Sequence, residues 1–364
     1  MNDTAGRDAL GDALGDALGD VRQDARRQLD RLWARGREFF GCEYAIMGGA
    51  MTWVSERGLV AAISNGGGFG VIASGSMTPE LLSREIAATF ALTSQPFGVN
   101  LITLHPQLDA LIDVCLDHKV SHVVLAGGLP PTSAIQRIRQ GGAKVVCFTP
   151  ALVLAKKLVR SGADALVIEG MEAGGHIGPV STSVLAQEIL PAIREVPVFV
   201  AGGIGRGEAI LAYLEMGAAG CQLGTRFVCA SESIAHPNFK KAFLRASARD
   251  AVPSTQLDPR FPVIPVRALV NDATKRFAET QRVVIDRVNR GELDQKAAQL
   301  EIEHFWAGAL RRAVIDGDVE NGSLMAGQSV GMVTREQPTA EILRELVDQA
   351  MAALQARRAD AASA

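Results

Sequence analysis

From Tyr44 to Leu223 the chain alternates short apolar runs with amphipathic stretches, and this alternation narrows the folds open to it more than any other feature. Tyr44–Ala50, Phe69–Ser74, Phe97–Ile102, His122–Ala126, Lys144–Phe148, Ala165–Ile168, Val198–Val200 and Gly220–Leu223 read as strands, most of them nearly continuous apolar runs. Between them, Glu56–Asn65, Pro79–Leu92, Gln107–His118, Ser133–Gln140, Ala151–Arg160, Ser183–Arg194 and Glu208–Met216 read as helices. Thr78 supplies an N-cap with Pro79 at the first helical position, and glycines at 141, 142 and 162 stop two of the helices. Strands that are apolar on both faces and joined by crossover helices demand a parallel sheet covered on its outer side. Eight such strands, with seven helices between them, within about 190 residues predict an α/β fold, a closed (β/α)8 TIM barrel, with a doubly wound open sheet as the alternative.

The barrel is expected over residues 31–229. Residues 1–30 read as a mobile tail running into a short helix around Val21–Arg37. There Ala9-Leu10-Gly11-Asp12 recurs as Ala13 to Asp16 and Ala17 to Asp20, a glycine-punctuated tetrad with no face to bury. After Phe227 the alternation stops. Residues 230–320 are charged and helical in pattern (Asn238–Ala248, Lys275–Arg290, Asp294–Val314), with prolines at 253 and between 259 and 265. They read as a helical excursion over the barrel mouth. Residues 321–364 form a C-terminal segment whose amphipathic helix, Thr339–Gln355, packs back on the barrel.

The net charge of −3 gives no electrostatic reason to expect nucleic acid or an anionic membrane as partner. No apolar run reaches the roughly 18 residues that span a bilayer, and the N-terminus lacks a signal-peptide layout. Cys42, Cys115, Cys147, Cys221 and Cys229 are scattered without ligand spacing, which reads as reduced thiols in a cytoplasmic protein and no metal site.

The chemistry concentrates at strand ends. After the sixth strand come Glu169-Gly170-Met171-Glu172-Ala173-Gly174-Gly175-His176-Ile177-Gly178. Glycines let backbone approach a ligand closely, and His176 can exchange a proton near neutral pH. Ala201-Gly202-Gly203 after strand seven and Gln222-Leu223-Gly224-Thr225 at strand eight sit where barrels hold phosphate, with free N–H groups and a helix dipole. Neither run is a GxGxxG fingerprint. Gly48, Gly49 and Met51 at strand one, Asn65 before strand two and Asn100 in strand three complete the candidate lining. A terminal phosphate plus a flat polar ring fits flavin mononucleotide best. A sugar phosphate handled by a non-redox isomerase or lyase would leave the run to His176 unexplained. His105, His118, His122 and His304 read as ordinary surface or core residues, and Glu172 as structural.

The runs Glu169–Gly178, Ala201–Gly203 and Gln222–Phe227 resemble the FMN-dependent family of nitronate monooxygenases (2-nitropropane dioxygenases) and enoyl-acyl carrier protein reductases II, over about Phe40 to Ala352. Gly308-Ala309-Leu310, Gly317-Asp318-Val319 and Gly322–Gln328, with His236-Pro237, are similar to the reductase branch. At strand one the family's glutamine is replaced by Gly48, and Phe148 stands where quinone-reducing relatives carry lysine. The resemblance implies His176 as the catalytic residue and FMN as cofactor. In a reductase NAD(P)H would be the electron donor and a trans-2-enoyl thioester the acceptor, with Phe261, Val263, Ile264 and Val266 walling an acyl channel. In a monooxygenase the substrate would be an alkyl nitronate, oxidised with O2. Acyl carrier protein or coenzyme A, and monomer or homodimer, stay open.

Overall fold

Eight parallel strands close on themselves in the computed structural model, which describes residues 22–261, 265–306 and 308–363. They are β1 (Ile46–Gly48), β2 (Gly70–Ala73), β3 (Phe97–Ile102), β4 (His122–Ala126), β5 (Lys144–Thr149), β6 (Ala165–Glu169), β8 (Val198–Ala201) and β9 (Gly220–Leu223). Their order is β1-β9-β8-β6-β5-β4-β3-β2. The two edges meet where Met47 bridges Phe69: the Gly48 N–H donates to the Phe69 carbonyl at 2.8 Å and the Phe69 N–H to the Ile46 carbonyl at 2.9 Å. The expected TIM-barrel architecture is therefore the one observed. Its outer ring is α3 (Arg57–Asn65), α4 (Pro79–Leu92), α5 (Leu108–Asp117), α6 (Thr132–Gln140), α7 (Leu152–Ser161), α8 (Thr182–Ile189) and α9 (Gly207–Glu215).

Alternation along each strand produces two nested cores. Inward residues, among them Met47, Val71, Val124, Val146, Val167 and Phe199, fill the lumen. Outward ones such as Ile46, Val99, Leu125, Leu166 and Ile168 pack under the helices. Phe40 plugs the bottom of the lumen, stacked on Phe69 with ring centroids 4.1 Å apart. Beside it His122 donates from Nε2 to the Phe39 carbonyl at 2.9 Å, and burial pushes its pKa down to about 4.

The N-terminal boundary differs from expectation. Residues 22–32 form α1, followed by α2 (Ala34–Phe40), and Ala25 and Leu29 are fully buried in the outer core. A tail boundary at residue 30 thus falls inside a packed helix, because Ala25, Leu29 and Trp33 recur at a four-residue spacing and bury one stripe. The tetrad repeat lies outside the described residues.

The excursion is not purely helical. Besides α10 (Pro237–Arg245), α11 (Asp272–Asn289), α12 (Gln295–His304) and α13 (Ala309–Val314), it holds β10 (Ala251–Pro253) and β11 (Val266–Leu269). These two pair antiparallel, and β11 pairs onward with β7 (Gly175–His176), the end of the loop that leaves β6. Of the expected channel wall, Val263 and Ile264 lie outside the described residues. α14 (Thr339–Ser363) packs back as anticipated: Gln349 accepts the Gly207 N–H at 2.8 Å and Glu345 pairs with Arg226 at 3.0 Å. Among the described residues no helix is long and apolar enough to cross a membrane, and no group of three His, Cys, Asp or Glu stands close enough to hold a metal ion.

Candidate active site

The last inward position of several strands is polar. In β6, Ala165 and Val167 face the lumen, so Glu169, two residues on, does too; it lies in register with Ala201, which in turn pairs with Gln222. Asn100 follows Gly98 on the inward side of β3. Gln222 is 7% exposed, and its Oε1 is buried with no partner. Asn100 donates from Nδ2 to the Val124 carbonyl at 3.1 Å. Glu169 makes no side-chain hydrogen bond among the described residues; burial alone pushes its pKa up to about 8. Its side chain nonetheless keeps some accessible surface, the combination expected of a group ringed by protein that faces a cavity. An unsatisfied buried polar group costs about 1–3 kcal/mol. An apolar lumen capped by such groups is therefore built to be completed by something polar.

Beside this layer lies an anion cradle. Among the described residues, no protein acceptor takes the N–H of Gly202, Gly203, Gly224 or Thr225. Gly202 has φ +101°, and a Cβ there would stand 2.8 Å from Thr182 Oγ1, so only glycine keeps this turn. At Gly224 a Cβ would meet only Met51, with Sδ at 3.5 Å, so the backbone there is open to a ligand rather than to the protein. Gly49 closes the cradle from β1, its Cβ direction 3.1 Å from Gly224 Cα. The Thr225 hydroxyl accepts the Gly327 N–H at 2.9 Å and keeps its own proton to donate.

His176 completes the mouth from the third side. Its strand pairs Val266 with His176 and Arg267 with Gly175, and the Ile177 N–H donates to the Pro265 carbonyl at 3.0 Å. Arg267, 2% exposed, donates from Nε to the Met171 carbonyl at 2.9 Å and from Nη1 to the Ala251 carbonyl at 2.5 Å. Glu172 is structural, as expected: its Oε2 accepts the N–H and hydroxyl of Thr182 at 2.9 and 2.8 Å and so caps α8. The backbones at Gly174 and Gly327 touch, a Cβ on Gly174 falling 2.5 Å from Gly327 N. The His176 ring is solvent-accessible and has no hydrogen-bond partner among the described residues, yet the protein around it desolvates it enough to lower its pKa. At neutral pH it is mostly the uncharged imidazole.

Gly49, Met51, Asn100, Glu169, Gly174, Gly175, His176, Ala201, Gly202, Gly203, Gln222, Gly224 and Thr225 thus meet at the C-terminal mouth of the barrel. Asn65 does not. It ends α3 and precedes β2, which places it at the opposite mouth, where its amide donates to the Leu92 carbonyl at 3.1 Å and accepts from Thr93 Oγ1 at 2.6 Å. Gly48 and Leu223 are in the right strands but face outward: a Cβ on Gly48 would point at Ile63, and Leu223 lies in the outer core. They close the barrel rather than line the mouth. Arg267 is not among the site residues expected from sequence, and Met325 and Gly327 enter there only as part of the run Gly322–Gln328. For Arg267 the available signal is an arginine inside the apolar run Val266–Leu269.

The family model described as nitronate monooxygenase matches residues 35–111 and 106–349. The chain belongs to the nitronate monooxygenase family. It is therefore an oxidoreductase of that flavin-dependent family. Among curated relatives it is 30% identical to the (3aS,4S,5R,7aS)-5-hydroxy-7a-methyl-1-oxo-octahydro-1H-indene-4-carboxyl-CoA dehydrogenase of Rhodococcus jostii (strain RHA1), over 85% of this chain and 92% of that protein. Among solved structures it is similar to FabK from Thermotoga maritima (34% identity, 89% of this chain and 98% of that one, TM-score 0.80). It is also similar to a nitroalkane oxidase from Streptomyces ansochromogenes (28%, 88% and 98%, TM-score 0.71).

Proposed function

We propose that this member of the family uses FMN and NAD(P)H to reduce trans-2-enoyl thioesters. The observation that carries the reading is the company of His176: it shares one sheet face with Val252, Val266 and Ala268, an apolar floor suited to an acyl group and of no use to a small nitronate. The similarity to FabK, and to a relative named for a carboxyl-CoA, supports it. The residues present fit FMN. Gly202, Gly203, Gly224 and Thr225 offer unspent N–H groups to a phosphate. Gln222, Asn100 and Glu169 offer donors and an acceptor to the edge of a polar ring.

Bound there, the flavin supplies two-electron chemistry, with NAD(P)H oxidised and the enoyl β-carbon reduced by hydride. Overall, enoyl thioester, NAD(P)H and one proton give acyl thioester and NAD(P)+. His176 donates an N–H to the thioester carbonyl oxygen, where negative charge gathers as the β-carbon gains hydride, and it guides the proton to the α-carbon. Such a role is worth roughly 10²–10⁴-fold. All five cysteines are free thiols, which suits a reducing cytoplasm.

Nitronate oxidation is the second reading, favoured by the nitroalkane oxidase likeness; His176 would then hold the nitronate oxygens. Anaerobic stopped-flow mixing with NADH, NADPH and propionate 3-nitronate separates the two. The thioester reading expects rapid bleaching by a nicotinamide and recovery of colour on adding crotonyl-CoA. Bleaching by the nitronate alone would sink it.

A further inference from the structure

The sheet face that carries His176 runs into a cavity. Cross-strand partners in an antiparallel sheet project to the same side, with Cβ atoms about 5 Å apart. His176 opposite Val266, and Val252 opposite Ala268, therefore stand on one face, which Met325 extends by bridging Ala268. α11 lies across that face and encloses about 190 Å³ between Val252, Val266 and Ala268 on one side and Phe277, Ala278 and Trp306 on the other. Most of the polar side chains in its wall are already engaged. Gln281 spans the Leu257 N–H and the Thr255 carbonyl at 3.2 and 3.0 Å, Thr274 donates to the Asn271 carbonyl at 2.8 Å, and Ser254 accepts the Val266 N–H at 2.9 Å. The Lys275 ammonium is held by Asp272 at 2.9 Å. What remains to offer a guest is mainly apolar surface.

We infer that this cavity receives the apolar end of the substrate's acyl group and sets its length. The inference rests on the thioester reading above. With the thioester carbonyl at His176, the chain passes over Val266 and Ala268 and ends against Phe277 and Trp306. These two rings lie 5.2 Å apart and belong to the excursion's own packed cluster, which stands as the wall facing the sheet. A dry cavity of about 150 Å³ accommodates benzene, so this one suits an acyl end of roughly six to eight carbons, straight or singly ringed.

Calorimetric titration of the flavin-loaded protein with saturated acyl-CoAs tests it without turnover. In the wild type, affinity should rise about fourfold per CH2 from butanoyl- toward octanoyl-CoA and then level off. Ala278→Phe fills the cavity from α11. It should weaken octanoyl-CoA binding at least tenfold and leave butanoyl-CoA within twofold, with the same split in kcat/KM between trans-2-octenoyl- and crotonyl-CoA and unchanged flavin reduction by NAD(P)H. Trp306→Ala should move the plateau to longer chains, a gain that a misfolded variant could not show. If the wild type turns over thioesters but Ala278→Phe weakens all lengths alike or none, the cavity is not the acyl site, and the thioester reading stands. If the wild type neither binds nor reduces any acyl-CoA, the thioester reading fails and this assignment falls with it.

Discussion

In the barrel, six of the eight strands contribute to two cores at once, inward to the lumen and outward to the helices, and the outer core is continuous with α1 and α14. In the excursion, Phe261, Phe277, Val284, Ala298 and Ile302 form a separate small cluster, and its three-stranded sheet is finished only by a strand from the barrel's own loop. The two regions meet at His176. The phosphate cradle and the Asn100–Glu169–Gln222 layer sit on the region with the deeper packing. The candidate proton donor sits exposed on a two-residue strand at the edge of the excursion's sheet, where local opening costs least. A cofactor end that stays put and a substrate end that can adjust is what this difference teaches.

His176→Ala tests the division most sharply. The ring lies on a solvent-accessible face and its loss opens no core cavity, so fold and flavin content should persist while turnover falls by at least about a hundredfold. Turnover assays alongside the flavin spectrum check this. Wild-type rates would remove His176 from the chemistry.

Phe277→Ala strikes the excursion alone. Truncating a buried phenylalanine costs about 3–5 kcal/mol, and that loss should fall on α11, α12 and β11. In native-state hydrogen exchange their amides should lose at least two orders of magnitude of protection while β3, β4 and β5 keep theirs. Equal loss in the barrel strands would mean that the two regions unfold as one.

The same contrast explains what the sequence disclosed. Strands β3, β4 and β9 fall on their expected residues, because a strand buried on both sides must be apolar along most of its length. β7, β10 and β11 escaped notice: they are two to four residues long, and their pairing joins Gly175 to Arg267, positions far apart in the chain. No local periodicity records such a partner. Asn65 was misplaced because a glycine run reads alike on either side of a strand, although only the following side reaches the mouth. Glu169, His176 and the paired loops at Gly202 and Gly224 were legible because barrel chemistry is confined to strand ends.

Gly224→Val probes the rigid side with a smaller effect. The new side chain meets little but Met51, with Sδ 3.5 Å from the added Cβ, so the protein should fold with an unchanged melt of its flavin-free form. FMN affinity, followed by quenching of flavin fluorescence, should drop at least tenfold as the branched side chain fills the cradle. Retained affinity would put the phosphate elsewhere.

Glu169 gives the smallest effect and tests whether the polar layer is as dry as its geometry implies. Its pKa stands near 8 in the folded chain against an ordinary 4.5, and burial is the cause. Between those values the folded chain holds a proton that the unfolded chain has released, so stability is greatest at low pH and falls as pH rises from about 4.5 to 8. The flavin-free protein should therefore melt lower at pH 8.5 than at pH 5. Glu169→Gln is neutral throughout and should raise Tm at pH 8.5 by a few degrees, with little change at pH 5. An unaltered slope in that variant would mean that water already reaches the carboxylate, and that the layer above the lumen is solvated before any ligand arrives.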